Sequence, residues 1–336
     1  MQSIIVKALD WHEGEEIPRN TYGGPNNGIG IVGVGSAGSK IVSHLNVTGT
    51  SGAGTIAIDT DKQNLDKCLA DTRIWIGKSV TKGLGAAGYP DLGRKIALGA
   101  EKTIGEILEG YDLVILITGL GGGTGTGASP VVARIAREKG ASVIGIATIS
   151  LPREWYRVFD PNPHVPTLRE ACDALILVDN STVLTFAPNL PYGVLLKVTG
   201  QAICEAVLRC IAIEGTSPIL SAGRNTMQAL TGRNGVCSLF MGEGRSDHPA
   251  EKLVDGCLTR PLIDVDFRDA QYGLFNIVGG PDLTIQRARE ISEEFSSRFS
   301  SPVDISYSAH NDGESGDRIS LMAILGGFAW KDWVKA

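Results

Sequence analysis

Two hydrophobic rhythms alternate through the first half of the chain. Continuous apolar runs at 28–35 (GIGIVGVG), 55–60 (TIAIDT), 111–119 (YDLVILITG), 142–150 (SVIGIATIS) and 173–180 (DALILVDN) read as strands. Runs without polar alternation are expected of strands buried on both faces. Between them, SKIVSHLNV (39–47), RKIALGAEKTIGEILEG (94–110) and SPVVARIAREKG (129–140) place apolar residues at helical spacing. Strands alternating with helices predict an α/β fold with a Rossmann-like parallel sheet. Residues 192–215 keep the helical rhythm up to a terminal Gly and predict one long central helix. Beyond it, VCSLFMGEG, YGLFNIVGG, VDISYSAH and RISLMAILGG read as strands, and HPAEKLVDGCL and LTIQRAREISEEFSSRFS as helices, giving a smaller mixed α/β C-terminal domain. The polar, irregular stretch 1–27 reads as an extension or a loosely attached strand. The expected division is therefore 1–27, 28–190, 191–215, 216–328 and a short tail at 329–336.

Composition narrows the function classes. Among 336 residues there are 43 glycines, about one in eight, against a usual share of about 7%. They follow no collagen period, so tight loops are the expected use. The net charge of −6 argues against a nucleic-acid binder. No apolar run approaches the ~20 residues that span a bilayer, and the N-terminus lacks the pattern of a signal peptide. The six cysteines form no CxxC pair, so a reducing, cytoplasmic setting with no disulfide framework and no protein-built metal site is expected. The five histidines show no ligand spacing. Trp330 and Trp333, beside Lys331 and Lys335, read as a packing tail or a lost terminus, with contact to a membrane interface as the other reading; a membrane-associated partner is allowed.

The candidate chemistry lies in the glycines. Gly33-Val34-Gly35-Ser36-Ala37-Gly38 joins a strand to a helix, where backbone N–H groups and the helix dipole can meet an anion. Asp59 ends the following strand, which is also the layout of a dinucleotide site. A second loop is Gly83-Leu84-Gly85-Ala86-Ala87-Gly88-Tyr89-Pro90. In the third, Gly121-Gly122-Gly123-Thr124-Gly125-Thr126-Gly127, five glycines stand in seven residues. Their loss of conformational freedom needs a reason beyond connection, and successive N–H groups with two threonine hydroxyls suit a phosphate cradle. The Walker pattern is absent. All three loops follow the carboxyl ends of strands and should share one rim.

GGGTGTG (121–127) resembles the signature of the tubulin/FtsZ superfamily. GLGAAGYPDLGRK (83–95) and GVGSAGSK (33–40) resemble other FtsZ loops, and MGEG (241–244), 272–284 and 316–328 resemble the FtsZ C-terminal domain. The resemblance implies GTP or GDP as ligand, with Mg2+ allowed beside the triphosphate, and self-association head to tail into protofilaments. It implies phosphate contacts from Ser36, Ala37, Gly38, Ser39, Ala86, Ala87, Gly122, Gly123, Thr124, Gly125 and Thr126. Glu154 and Arg157 match a Glu and an Arg of the family, one residue closer together than usual. The family's base-contacting Asn falls on Asn180, and its base-contacting Asp, by counting, on Gln201. A Gln amide accepts more weakly than a carboxylate from the guanine N–H donors.

FtsZ proteins carry an acidic NxDFxD loop after the central helix, which acts on the neighbouring subunit's nucleotide. Here no Asp or Glu lies between Glu214 and Glu243. Asn225 and Gln228 stand near the two acid places. Weak or absent GTP hydrolysis follows, since an amide can orient water but cannot serve as a carboxylate base. The fallback catalytic pair is Asp266 and Asp269 in DVDFRD, although this stretch follows MGEG instead of preceding it. The leading expectation is thus a filament-forming, guanine-nucleotide-binding cytoskeletal protein of cell division. The alternatives are a non-polymerising nucleotide-binding scaffold for membrane remodelling and, on the first loop with Asp59, a Rossmann oxidoreductase.

Overall fold

The computed structural model describes residues 2–9, 28–149, 162–215, 219–221, 229–313 and 315–329. These fall into two compact units that divide between Val207 and Leu208, with Ser3 grouped with the second.

The first unit contains most of α1 (Gln2–Leu9), then β1 (Ile29–Val34), α2 (Gly35–Thr48), β2 (Gly54–Asp59), α3 (Lys62–Asp66), β3 (Thr72–Trp75) and α4 (Lys78–Thr81). It continues with α5 (Pro90–Gly99), α6 (Glu101–Leu108), β4 (Leu113–Leu120), α7 (Gly123–Glu138), β5 (Ser142–Ile149), α8 (Val165–Ala171), β6 (Ala174–Asp179) and α9 (Asn180–Phe186). The strands stand in the order β3-β2-β1-β4-β5-β6, every neighbouring pair parallel. β1 is buried along its whole length, and β4 at all positions but one. That is the environment a continuous Ile/Val/Leu run demands once helices cover both faces. The order reverses at β1 and β4, and α2 and α7 start directly after those two strands. The topology thereby sets two helix N-termini side by side at the carboxyl ends of the central strands, the place where open parallel sheets bind ligands.

Helix α10 (Tyr192–Gly215) runs for 24 residues, with the bounds that its periodicity predicts. The second unit holds β7 (Leu220–Ser221), β8 (Val236–Arg245), α11 (Ala250–Leu258), β9 (Tyr272–Gly279), α12 (Ile285–Ser297), β10 (Asp304–Asn311) and β11 (Arg318–Phe328). Its sheet is mixed: β11 is antiparallel to β8 and β9, while β9 and β10 are parallel. Phe275 stacks on Phe295 at a centroid separation of 3.8 Å, fastening α12 to the sheet.

Four local expectations are corrected. The stretch 94–110 is not one helix: the chain leaves helical geometry at Ala100 (φ −105°, ψ 8°), so α5 and α6 are separate. Gly99, the poorest helix former after proline, immediately precedes that break. Helix α7 begins at Gly123, inside the third glycine segment, and not at 129. The short edge strand β3 has no counterpart among the predicted strands, its polar Thr72 and Arg73 having hidden it. Residues 2–9 form a helix instead of a strand, with Ile4 and Ala8 buried at i and i+4 spacing. The remaining part of the N-terminal stretch, 10–27, and Trp330 and Trp333 lie outside the described residues.

The start of α1 is tied to the second unit's β8, where Glu243 accepts from the Ser3 amide at 2.9 Å. Burial alone would raise this carboxyl, but hydrogen bonds from Ser3 outweigh it and hold the group down at about 2. A depressed carboxyl stabilises above its unfolded value of about 4.3 and loses that contribution as pH falls through the folded value. The site is half-buried, so solvent screening reduces the effect. Glu243→Gln is expected to cost about 1 kcal/mol at pH 7 and nothing measurable at pH 2, read from denaturant unfolding at both pH values.

All six cysteines are buried free thiols. Burial pushes Cys172 and Cys257 up to about 12, leaving them inert as nucleophiles. Among the described residues, no helix is long and apolar enough to cross a membrane.

Candidate functional site

The site is built from the ends of β1, β4 and β6. Gly35 opens α2 with φ +72° and lies against α7: a Cβ there would stand 2.8 Å from the Gly125 amide nitrogen. Gly123 faces the second loop: its Cβ would stand 2.7 Å from the Tyr89 nitrogen and 2.8 Å from the Ala86 carbonyl oxygen. Only glycine permits backbones to approach this closely. The three glycine segments, at 33–40, 83–90 and 121–127, therefore converge.

Their ends are left open. Neither α2, after Val34, nor α7, after Gly122, has a side chain capping its first N–H groups. By contrast, Asp61, Asp179 and Thr284 cap α3, α9 and α12 with side-chain acceptors. Uncapped helix starts leave N–H donors and a positive dipole for an anion. The threonine hydroxyls expected to help are engaged elsewhere. Thr124 Oγ1 lies 2.6 Å from Thr60 Oγ1, and Thr126 Oγ1 accepts from the Gly121 amide at 3.0 Å. These bonds brace the loop, and a hydroxyl that accepts keeps its own proton to donate, so the threonines can still serve a ligand beside the backbone donors. Ala87 sits at φ +49°, a left-handed conformation uncommon for a residue with a Cβ. Its neighbour Ala86 is buried, which holds the loop in place.

A cavity of about 370 Å³ opens beside the start of α2. Ser36 and Ala37 line it together with Lys40, Thr148, Asn180 and the α10 residues Tyr192, Leu196 and Thr199. Asn180 is only 6% exposed, and its Oδ1 has no hydrogen-bond partner among the described residues. The preceding Asp179 supplies the cap of α9 by accepting from the Ser181 amide, which leaves Asn180 free of that duty. Ser39 Oγ is likewise buried and unpartnered among the described residues. Buried polar atoms without partners are rare and costly, and one facing a cavity signals a missing ligand group.

Gln201 does not join this set. It is buried, with Oε1 3.0 Å from His44 Nε2, and it is not among the residues lining the cavity. One residue along a helix turns the side chain by about 100°, so the place reached by counting from Asn180 stands off the cavity-lining stripe. The stripe 192, 193, 196, 197, 200 faces the cavity instead. Its helical period was readable in the sequence, but the residue types carried no chemical signal. Lys40 and Thr148 were missed for the same reason. Glu154, Arg157, Asn225 and Gln228 lie outside the described residues.

Asp59 is buried and committed to its own turn, accepting from the Thr60 amide at 2.7 Å and from Asn64 Nδ2 at 2.6 Å. Burial raises its pKa. Both of its oxygens are tied into the turn, which speaks against the dinucleotide reading. Asp266 caps the short turn 267–269 and pairs with Arg268 at 2.6 Å, a contact that lowers its pKa.

Fold and site together define a nucleotide-binding α/β protein with glycine-built helix starts at the switch point of its sheet. Residues 28–188 match the tubulin/FtsZ family GTPase domain, and residues 235–329 match the FtsZ family C-terminal domain. Cell division protein FtsZ 2 of Halobacterium salinarum is 38% identical over 334 residues, covering 97% of this chain and 84% of the relative. Cell division protein FtsZ 2 of Methanocaldococcus jannaschii is 38% identical over 302 residues, covering 89% of this chain and 80% of the relative. A solved FtsZ structure from M. jannaschii superposes with a TM-score of 0.82 at 32% identity, covering 89% of this chain and 90% of that one. The chain belongs to the tubulin/FtsZ family. It is an FtsZ-like member of the cell-division cytoskeletal GTPases, with a guanine-nucleotide-binding domain.

Proposed function

We propose that the chain binds GTP at the convergent glycine segments, assembles head to tail into protofilaments in the cytoplasm, and hydrolyses GTP slowly or not at all. The observation that carries the nucleotide assignment is the unpartnered Asn180 Oδ1 beside two uncapped helix starts. The helix starts hold the phosphates through the amides of 36–39 and 122–126, Ala86 and Ala87 lie at the terminal phosphate, and the base enters the cavity against Asn180. Among the described residues, no group of three His, Cys, Asp or Glu could hold a metal. Mg2+ would therefore be carried by phosphate oxygens and water, as is common for this ion.

Slow hydrolysis rests on Asn225 and Gln228 standing near the two places where the family resemblance puts acids. Loss of general-base catalysis costs on the order of 10²–10⁴ in rate. Light scattering should rise when micromolar protein receives GTP and stay flat with GDP, while phosphate release remains near background. Scattering that ignores the nucleotide would favour the non-polymerising scaffold. Brisk phosphate release that Asp266→Ala and Asp269→Ala abolish would move the catalytic role to that pair.

A further inference from the structure

Another cavity of the first unit lies beside the second glycine segment, which its lining residue Lys82 directly precedes. It has a volume of about 920 Å³ and runs between β3, α4 and the α5–α6 pair. Three features set it apart from an ordinary surface crevice. First, it touches both Ile74 and Trp75. Neighbouring residues point to opposite faces of a strand, so the cavity follows the strand's edge. That edge is open: β3 is the last strand of its sheet and, among the described residues, pairs only with β2.

Second, its walls combine apolar side chains with lysines. Ile74, Ile76 and Ile96 line it together with Lys78, Lys82 and Lys95. No carboxylate is among the lining residues. The three lysines form no ion pair with any described residue, whereas nearby Lys62 pairs with Asp66. Lys78 Nζ stands 5.4 Å from the centroid of the Trp75 ring, so the positive charge lies over the groove's aromatic wall. Third, Trp75 Nε1 is buried and has no hydrogen-bond partner among the described residues.

We propose that this groove receives an extended acidic peptide segment of a partner protein, which adds a strand to the open edge of β3. Main-chain hydrogen bonds along the edge would supply affinity, and alternate side chains would supply specificity. Apolar residues of the peptide enter between Ile74 and Ile96, and its carboxylates meet Lys78, Lys82 and Lys95. Exposed edges recruit strands readily, and lysines beside them repel most comers while admitting an acidic one. The same charges disfavour a second copy of this chain, because edge-to-edge pairing would bring two lysine triads together.

The test uses the whole chain and a fluorescein-labelled peptide alternating Glu with Val. Anisotropy should show saturable binding, weakened at least tenfold by the combined substitution Lys78→Glu, Lys82→Glu, Lys95→Glu. The circular dichroism spectrum of that variant should be unchanged, showing that it folds. A peptide of the same sequence, N-methylated at alternate amides in either register, tests strand addition without altering the protein. At least one register should lose binding. Absence of saturable binding, indifference to the lysine substitutions, or undiminished binding of both methylated peptides would overturn the proposal. So would binding to phosphatidylserine vesicles that the same substitutions abolish while the peptide does not bind, or dimerisation that they relieve.

Discussion

Gly123→Ala should lower guanine-nucleotide affinity by ten- to a hundredfold, equivalent to about 1.4–2.8 kcal/mol. The added methyl would sit 2.7 Å from the Tyr89 nitrogen, 2.8 Å from the Ala86 oxygen and 2.9 Å from the Ala86 methyl. None of these atoms ends a flexible side chain. The segment 86–89 must therefore shift away from α7, and the space between the second and third glycine segments opens. Overpacking of this kind costs about 1–3 kcal/mol of stability, so the folded protein persists and two quantities can be read separately. The melting temperature without nucleotide should fall by a few degrees. The further rise on adding GTP, which reports binding by linkage, should shrink by half or more at a GTP concentration about a hundred times the unaltered protein's Kd. A normal GTP-induced rise in the variant would show that the second loop does not touch the nucleotide.

The second large effect concerns Asn180. Its Oδ1 is buried and unpartnered among the described residues, so replacement by the similarly sized Leu removes a desolvated acceptor at little cost. Asn180→Leu should leave the nucleotide-free protein as stable as before or slightly more so. GTP affinity should nonetheless fall about tenfold or more, the usual loss when a buried polar contact to a ligand is removed. This opposition between stability and binding separates a ligand contact from a structural one. A core asparagine serving only the fold would lose stability and leave the affinity intact. Calorimetric titration with GTP, alongside denaturant unfolding, reads both.

Much of this architecture is written in local pattern. The parallel sheet of the first unit announces itself because each buried strand must be apolar on both faces, and 28–35 and 111–119 satisfy that without ambiguity. Helix α10 is legible because a long, largely apolar run without proline continues from Tyr192 to Gly215. What stayed hidden obeys tertiary rules. The threonines at 124 and 126 look like ligand groups in sequence, but that their hydroxyls also meet Gly121 and the distant Thr60 is set by tertiary contact. The break at Ala100 interrupts an otherwise continuous amphipathic pattern. The base cavity was half legible: Asn180 carries a chemical signal, whereas Tyr192, Leu196 and Thr199 acquire a role only through the angular register of α10. Gln201 shows the opposite error, in which counting from Asn180 assigned a role that the helical angle gives to its neighbours.

The central claim is that three glycine segments and Asn180 close on one guanine nucleotide. A co-crystal structure with a non-hydrolysable GTP analogue tests it most directly. The account requires the triphosphate to accept from the backbone amides at 36–39, 86–87 and 122–126, with the base within hydrogen-bonding distance of Asn180. A nucleotide bound elsewhere, or phosphates that leave the starts of α2 and α7 without an acceptor, would contradict it.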